Sequence, residues 1–305
     1  MSNTPQHTPA QPLDARTTAA LTVMLLVDSL HLIFARALAP LMSPFSSSFY
    51  VLAIATIQIA LYVGLTGRVD VSVFKKHIWF FVAIGFLVAA STVLGYFAVT
   101  LIDAGTASLL GHVSIVVTLA LSTFWLKERL SRQELAGAVL CLLGAFTISF
   151  QDSDVLRAGS LLVLASVSMY ALHIAVVKRY GEGIEFANFF LFRLLMTTLF
   201  LALFMGVSGN LSAPPNGRAW LILFIAASMD VVLSRILYYW VLRRMRLGIH
   251  TILLTLSPVL TVGWSILLFS ESPTWQSAFG GVLVLVGIII VGVAQQRGKL
   301  AASKR

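Results

Sequence analysis

The chain has 305 residues, of which 58% are hydrophobic and only 11% charged, with a formal net charge of +9 and a mean hydropathy of +0.93. Soluble domains carry about 25% charged residues, so this composition excludes a water-soluble enzyme or binding module and points to a polytopic membrane protein. The basic residues are spread over short loops with no patch of interleaved aromatics, which argues against nucleic acid as a partner; one cysteine, Cys141, excludes an intrachain disulfide and a cysteine metal cluster.

Residues 1–17 are polar, contain three prolines and are expected to be disordered. Ten apolar segments follow, at 18–38, 45–65, 78–100, 103–126, 132–151, 159–177, 186–207, 218–241, 247–269 and 275–294. Each is about 20 residues, the length an α-helix needs to cross roughly 30 Å of hydrocarbon. Backbone groups in lipid must bond within their own segment, so the expected state is helix throughout. The first segment is not a signal peptide: Asp28 interrupts its apolar core, Pro40 would follow the cleavage site, and the segment has a counterpart at 159–177. Residues 296–305 form a short basic tail.

Basic residues set the orientation. With the N-terminus in the cytoplasm, sixteen of the 21 Lys and Arg fall inside and three, Arg36, Arg157 and Arg218, outside, while Arg193 and Arg235 lie within spans. This bias over short loops predicts both termini on the cytoplasmic side of the cell membrane.

The chain also contains itself twice. Leu109 to Gly144 maps onto Ile252 to Gly287 at an offset of 143, with Ser114 on Ser257, Thr118 on Thr261, Glu128 on Glu271, Gly137 on Gly280 and Gly144 on Gly287. Upstream, Leu30, His31 and Arg36 match Leu172, His173 and Lys178 at 142, Thr56 matches Thr197 at 141, and Ser91 and Tyr96 match Ser234 and Tyr239 at 143. Two homologous halves follow, 18–154 and 155–295. Five spans per half is an odd number, so the second half must sit inverted relative to the first, the arrangement of many secondary transporters. The expected fold is an all-α integral membrane protein of ten transmembrane helices in two inverted five-helix repeats.

The duplicated stretches, AGTASLLGHVSIVVTLALSTFWLKERLSRQELAGAVLCLLGAF at 104–146 and GIHTILLTLSPVLTVGWSILLFSESPTWQSAFGGVLVLVGIII at 248–290, resemble the drug/metabolite transporter superfamily, specifically proteins built of two EamA-type domains. Pro258 and Glu271 fit the pattern of an apolar helix with a central Ser-Pro and a terminal Glu. The first half has Ile115 at the proline position, so its helix is expected to be straighter. Arg193 fits an arginine often found in the second helix of such a repeat. The resemblance implies an exporter or importer of small metabolites with a central cavity between the halves.

The recurring letters divide by role. Gly137 and Gly144, like Gly280 and Gly287, fall on one helical face and would let membrane helices approach closely. Ser131 and Glu134 form a capping-box pattern, and Thr274 stands at the equivalent place before the last span. Glu128 and Glu271 sit at span ends on opposite faces, either as solvated carboxylates at helix starts or as gate latches paired with a base. Trp79, Trp125, Trp220 and Trp275 fall near span ends, where an aromatic belt belongs.

Polar residues inside spans are expensive and mark function. Asp28 and Asp230 sit at the centres of the first and eighth spans, and His112, Ser114 and Ser257 close to the centres of the fourth and ninth. These five converge on the midplane, where inverted-repeat transporters hold substrate. His31 shares a face with Asp28 at i+3, and Ser234 with Asp230 at i+4, a spacing that Tyr170 and His173 repeat. Arg193 is expected in a structural ion pair with a neighbouring carboxylate, Asp28 or Asp230 among them; Arg235 is a candidate for a substrate carboxylate.

The reading is a secondary transporter of a small metabolite, best an amino acid or related amphoteric solute, with export favoured and an amine as the alternative. A membrane-embedded enzyme has no support from HExxH, CxxC, a nucleophile elbow or a Gly-rich phosphate loop, none of which is present. A channel or scaffold is the remaining class. No catalytic residue, metal or cofactor is assigned. The partners are the solute and the bilayer; proton coupling, exchange and a homodimer are each compatible with the sequence.

Overall fold

The computed structural model describes residues 15–125, 130–149, 154–210, 212–242, 256–271 and 273–302. Among these, the chain is helical without a strand. In order, α1 (Ala15–Asp28), α2 (His31–Leu38), α3 (Pro44–Leu65), the short α4 (Val71–Lys76), α5 (Ile78–Leu101), α6 (Ala104–Gly111), α7 (Ser114–Phe124), α8 (Arg132–Ser149), α9 (Asp154–Tyr180) and α10 (Phe186–Val207) are followed by α11 (Gly217–Ala226), a π-helical segment (Ala227–Leu233), α12 (Ser234–Leu242), α13 (Ser257–Phe269) and α14 (Trp275–Ala302). Helix starts at Ala15, inside the expected tail of 1–17, and α14 runs on to Ala302, through most of the expected basic tail. Residues 1–14, and the loop residues 126–129 that include Glu128, lie outside the described residues.

Among the described residues, eight stretches are long and apolar enough to cross a membrane: Ala19–Leu38, Pro44–Leu65, Ile78–Leu101, Ala104–Leu121, Arg157–Tyr180, Phe186–Val207, Gly217–Tyr238 and Trp275–Gln295. The protein is therefore an integral, multi-pass membrane protein. The other two expected spans, 132–151 and 247–269, run into residues outside the described ones. α8 is 18 residues long and opens with Arg132, Gln133 and Glu134. α13 is a shorter apolar helix, and residues 247–255 of the segment expected there lie outside the described residues.

Local chemistry fixes the ends. The Ser43 side chain caps α3, Asp70 caps α4, Asp103 caps α6 and Asn216 caps α11, each accepting from a backbone N–H of the first turn. The Ser72 hydroxyl and N–H both bond Asp70, holding its carboxyl below the usual carboxylate range. The Ser131–Glu134 box closes in both directions, Ser131 N–H to Glu134 Oε2 at 2.7 Å and Glu134 N–H to Ser131 Oγ at 3.2 Å. Thr274 Oγ1 accepts from Ser277 N–H before α14.

Two expected spans are broken. The first stops at Asp28, turns over Ser29 and Leu30, and restarts at His31. The Ser29 carbonyl freed by this break accepts from Thr261 Oγ1 at 2.8 Å, and Trp264 Nε1 donates to Ser29 Oγ at 3.0 Å. Such partners are what allow a helix to break at membrane depth. The fourth span breaks at His112 and Val113, where bonds tighten to the three-residue spacing of a 3₁₀ turn: His112 to Leu109, Val113 to Leu110, Ile115 to His112. The expectation that this helix would be straighter for want of proline is thus corrected. The Nδ1 of His112 contacts its own span's Ser108 carbonyl at 3.0 Å, so a polar side chain supplies a local alternative to the helical ladder.

α8 and α14 pack antiparallel along their glycines. A Cβ on Gly144 would lie 2.5 Å from the Gly280 carbonyl oxygen, and one on Gly137 would lie 2.7 Å from that of Gly287. Only hydrogen fits there, because the obstacle is backbone that cannot rotate away. α5 packs on α9, where Ser166 donates to the Ser91 carbonyl at 2.8 Å and the two hydroxyls lie 3.1 Å apart. α3 meets α10 through Thr56 and Thr198 at 2.8 Å. The largest buried cluster is centred on Phe80, Phe81, Ile84, Leu110, Leu194 and Leu201.

Candidate functional site

These packings leave a cavity of about 380 Å³ where the two breaks and the π-helical segment meet. Asp28 ends α1 and His31 begins α2, so the break presents both to the cavity. His112 and Ser114 flank the second break; Asp230 sits in the π-helical segment; Arg235 and Ser257 lie in the first turns of α12 and α13. π-helical turns are rare and frequent at functional sites. Arg193 on α10 also lines the cavity, its guanidinium carbon 5.4 Å from the centroid of the Phe190 ring. Of the eight candidate substrate or coupling residues, only Ser234 stands behind the lining rather than on it, and it bonds a lining residue, Asp28.

The pairings cross between halves rather than running along single helices. His31 Nδ1 lies 2.7 Å from Asp230 Oδ2, not on its own span's Asp28. Asp28 instead accepts from Ser234 Oγ at 3.3 Å and Ser257 Oγ at 3.2 Å, and faces Arg235 at 3.8 Å. The reason is geometric: the turn at Ser29 and Leu30 destroys the i+3 register on which the shared face depended. His31 and Arg235 thus stand opposite the aspartates.

The two carboxylates live in different surroundings. Asp230 has 3% of its side chain exposed, while its partner His31 has 47% open to the cavity. Among the described residues, Oδ1 of Asp230 is buried without a hydrogen-bond partner. Asp28 is 28% exposed and all its contacts are long. Tyr96 meets the His31 ring edge-on at 6.3 Å between centroids, and Tyr170 and Tyr238 add further phenols to the lining. His173, the repeat counterpart of His31, is buried beside Tyr170, and neither ring nitrogen has a hydrogen-bond partner among the described residues.

Several lining residues escaped the sequence reading, including Ser29, Thr92, Ser108, Ser166 and Tyr238. A signal was present: Ser91, Thr92, Gly95 and Tyr96 lie on one face of α5, and Ser108 and His112 are four apart. Isolated Ser and Thr in membrane helices usually bond their own backbone, so without a partner helix this stripe is uninformative.

Away from the cavity, Glu271 does not behave as a solvated loop carboxylate. It is 10% exposed and accepts from Arg36 Nε at 2.5 Å, from the Ala104 N–H at 3.2 Å and from Ser265 Oγ through a very short contact. Arg36 also donates to the Val99 carbonyl at 2.7 Å. One ion pair thus ties the end of α2 to the ends of α5, α6 and α13. Among the described residues, no group of three or more His, Cys, Asp or Glu is placed to hold a metal ion.

A multi-pass helical chain enclosing a charged cavity at the breaks of its spans has the build of a membrane transporter. The EamA-like transporter family matches residues 18–150 and again 157–293, and the chain belongs to that family, within the drug/metabolite transporter superfamily. A solved crystal structure, described only as that of a protein, is similar over 91% of this chain and 97% of its own, with a TM-score of 0.64 and 19% identity, a likeness of fold alone. No curated protein matches the chain.

Proposed function

We propose that this protein is a secondary transporter that moves a small amphoteric solute, best an amino acid or a close relative, out of the cell across the cytoplasmic membrane by alternating access of two inverted repeats. It is not an enzyme in this reading. The observation that carries it is the crossed pairing at the cavity: each aspartate is met by side chains of the other repeat, so any relative motion of the repeats remakes the site. Carboxylate, guanidinium and hydroxyl groups around one cavity suit a solute bearing both an amine and a carboxylate.

Ten spans and inverted halves are supported by the α8–α14 contact. Gly137 meets Gly287 and Gly144 meets Gly280; the repeat offset of 143 turns one contact into the other. Cys141 even donates to the carbonyl of its own counterpart, Val284, at 3.5 Å. Self-matching contacts between antiparallel helices are what a two-fold axis in the membrane plane generates. In this reading the repeats are 18–154 and 155–295, and both termini are cytoplasmic.

The deciding experiment is accumulation of labelled amino acids by purified protein in sealed vesicles, together with a metabolite comparison of expressing and deleted cells. Accumulation against a gradient supports transport; equilibration alone favours a channel, and no movement of any labelled amino acid removes the solute class. Orientation is tested by cysteine labelling from outside in a Cys141→Ala background. Asp154→Cys should be modified in intact cells and Lys299→Cys should not; the opposite result inverts the topology.

A further inference from the structure

His31 and Asp230 are joined across the repeats, yet they are the least solute-like of the cavity's charged contacts. The carboxylate is almost wholly covered, so a solute cannot reach it without displacing His31. His31, in contrast, is half open to the cavity. With Asp230 ionised its Oδ2 can only accept, and the tautomer that satisfies the 2.7 Å contact carries its proton on Nδ1. Neutral His31 with Asp230 then carries a net charge of minus one; a proton taken up on Nε2 brings the pair to zero. Nothing else in the contact need break. Asp28 is the converse: exposed, held by long bonds, and facing Arg235 at 3.8 Å.

We propose, resting on the transporter reading above, that the His31–Asp230 pair is the proton-binding site of this protein, that Asp28 and Arg235 form the anchor for the solute, and that proton and solute compete through Arg235. Arg235 faces Asp28 at 3.8 Å, and it lines the same cavity as Asp230, five residues before it in the same span. When His31 is neutral, Arg235 faces two uncompensated carboxylates, and Asp28 retains negative charge to bind a solute ammonium. When His31 is protonated it neutralises Asp230, Arg235 is left to Asp28, and the ammonium is displaced. The consequence is exchange of one proton for one solute amine. The other groups facing this exchange are Tyr96 from α5, His112 from the break between α6 and α7, Tyr170 from α9, Arg193 from α10 and Tyr238 from α12. The pair also sits where a proton can change the fold's working parts: His31 opens the restarted helix α2 and Asp230 lies in the π-helical segment, so its charge state alters a bond between the two halves.

Two measurements test this. The first needs no solute: in protein carrying [15N]histidine in lipid nanodiscs, the resonance absent from His31→Gln should titrate between about pH 5 and 8, and Asp230→Asn should change the pH at which it moves. A His31 resonance that does not move across that range overturns the proposal, whatever the protein transports. The second uses vesicles and each radiolabelled amino acid, comparing uptake driven by a pH gradient with exchange at equal pH. In His31→Gln the ratio of the two should fall by about tenfold or more, while Asp28→Asn should lower both together. An unchanged ratio in His31→Gln overturns the proposal. If the resonance titrates but the wild type moves no amino acid in either mode, the proton site stands and the solute class proposed above falls.

Discussion

α9 runs unbroken for 27 residues from Asp154 to Tyr180, while its counterpart in the first half stops at Asp28 and restarts at His31. α5 is a regular helix of 24 residues, while its counterpart in the second half passes through seven residues of π-helix. The two halves therefore differ most where they carry the aspartates. α5 and α9 meet through small hydroxyls, Ser91 and Ser166, and satisfy one another. Their counterparts α12 and α1 meet through Asp28, Ser234 and Arg235, at distances of 3.3 Å and more. The halves are most alike at α8 and α14, where the same glycine contact occurs twice. One interface is thus built to stay, another is neutral and closely bonded, and the third is charged, loose and open to the cavity. A transporter needs such a division, because rigid elements must move about contacts that can be exchanged.

The comparison breaks most visibly at Asp28. Asp28→Asn keeps the shape and removes the charge, so vesicle transport should fall to background with an unchanged melting temperature. Tyr170→Phe, in the equivalent unbroken helix, should retain most of the rate. Comparable losses in both would mean that the broken span has no special place in transport.

Next in size is the glycine seam. Gly144→Leu should destabilise by about 3 kcal/mol or more, since the new side chain meets backbone. Gly280→Leu should cost a similar amount, because the contact is its own counterpart. Val139→Leu, on an exposed face of α8, should stay within about 0.5 kcal/mol. Detergent melting curves that separate Gly144→Leu from Gly280→Leu would deny the seam its symmetry.

Arg36→Leu should loosen the tie between α2 and Glu271 by about 1.5–3 kcal/mol, the range for hydrogen bonds to charged groups. A further change of Glu271 to Gln should recover part of that loss, and failure to recover any would show that Arg36 acts through the Val99 carbonyl alone. The smallest effect belongs to the neutral interface: Ser91→Ala should cost about 0.6 kcal/mol and leave transport intact. A transport defect in that variant would move α5 and α9 into the working parts.

The fold was largely legible because membrane chemistry writes it in plain letters. Runs of about 20 apolar residues, caps at their ends and glycines seven apart fixed the helices, and the 143-residue offset identified the halves without any contact being known. Asp28, His31, His112, Asp230, Arg235 and Ser257 stood out for the same reason: charge and polarity within hydrocarbon need an explanation. Partners were a different matter. Sequence spacing put His31 on a face with Asp28 and Ser234 on one with Asp230, as a continuous helix would. A break at Ser29 and the π-helical turns of Ala227–Leu233, neither of them at a proline, interrupted that register, and the side chains found partners more than 190 residues away in the chain. Glu271 was equally ambiguous, since the same carboxylate is solvated or paired according to whether Arg36 reaches it. The sequence by itself determined which groups had to be accommodated in the membrane, because burial costs depend on the residue alone. Only the tertiary structure decided which group accommodates which, because a hydrogen bond of 2.7 Å depends on where two distant helices come to rest.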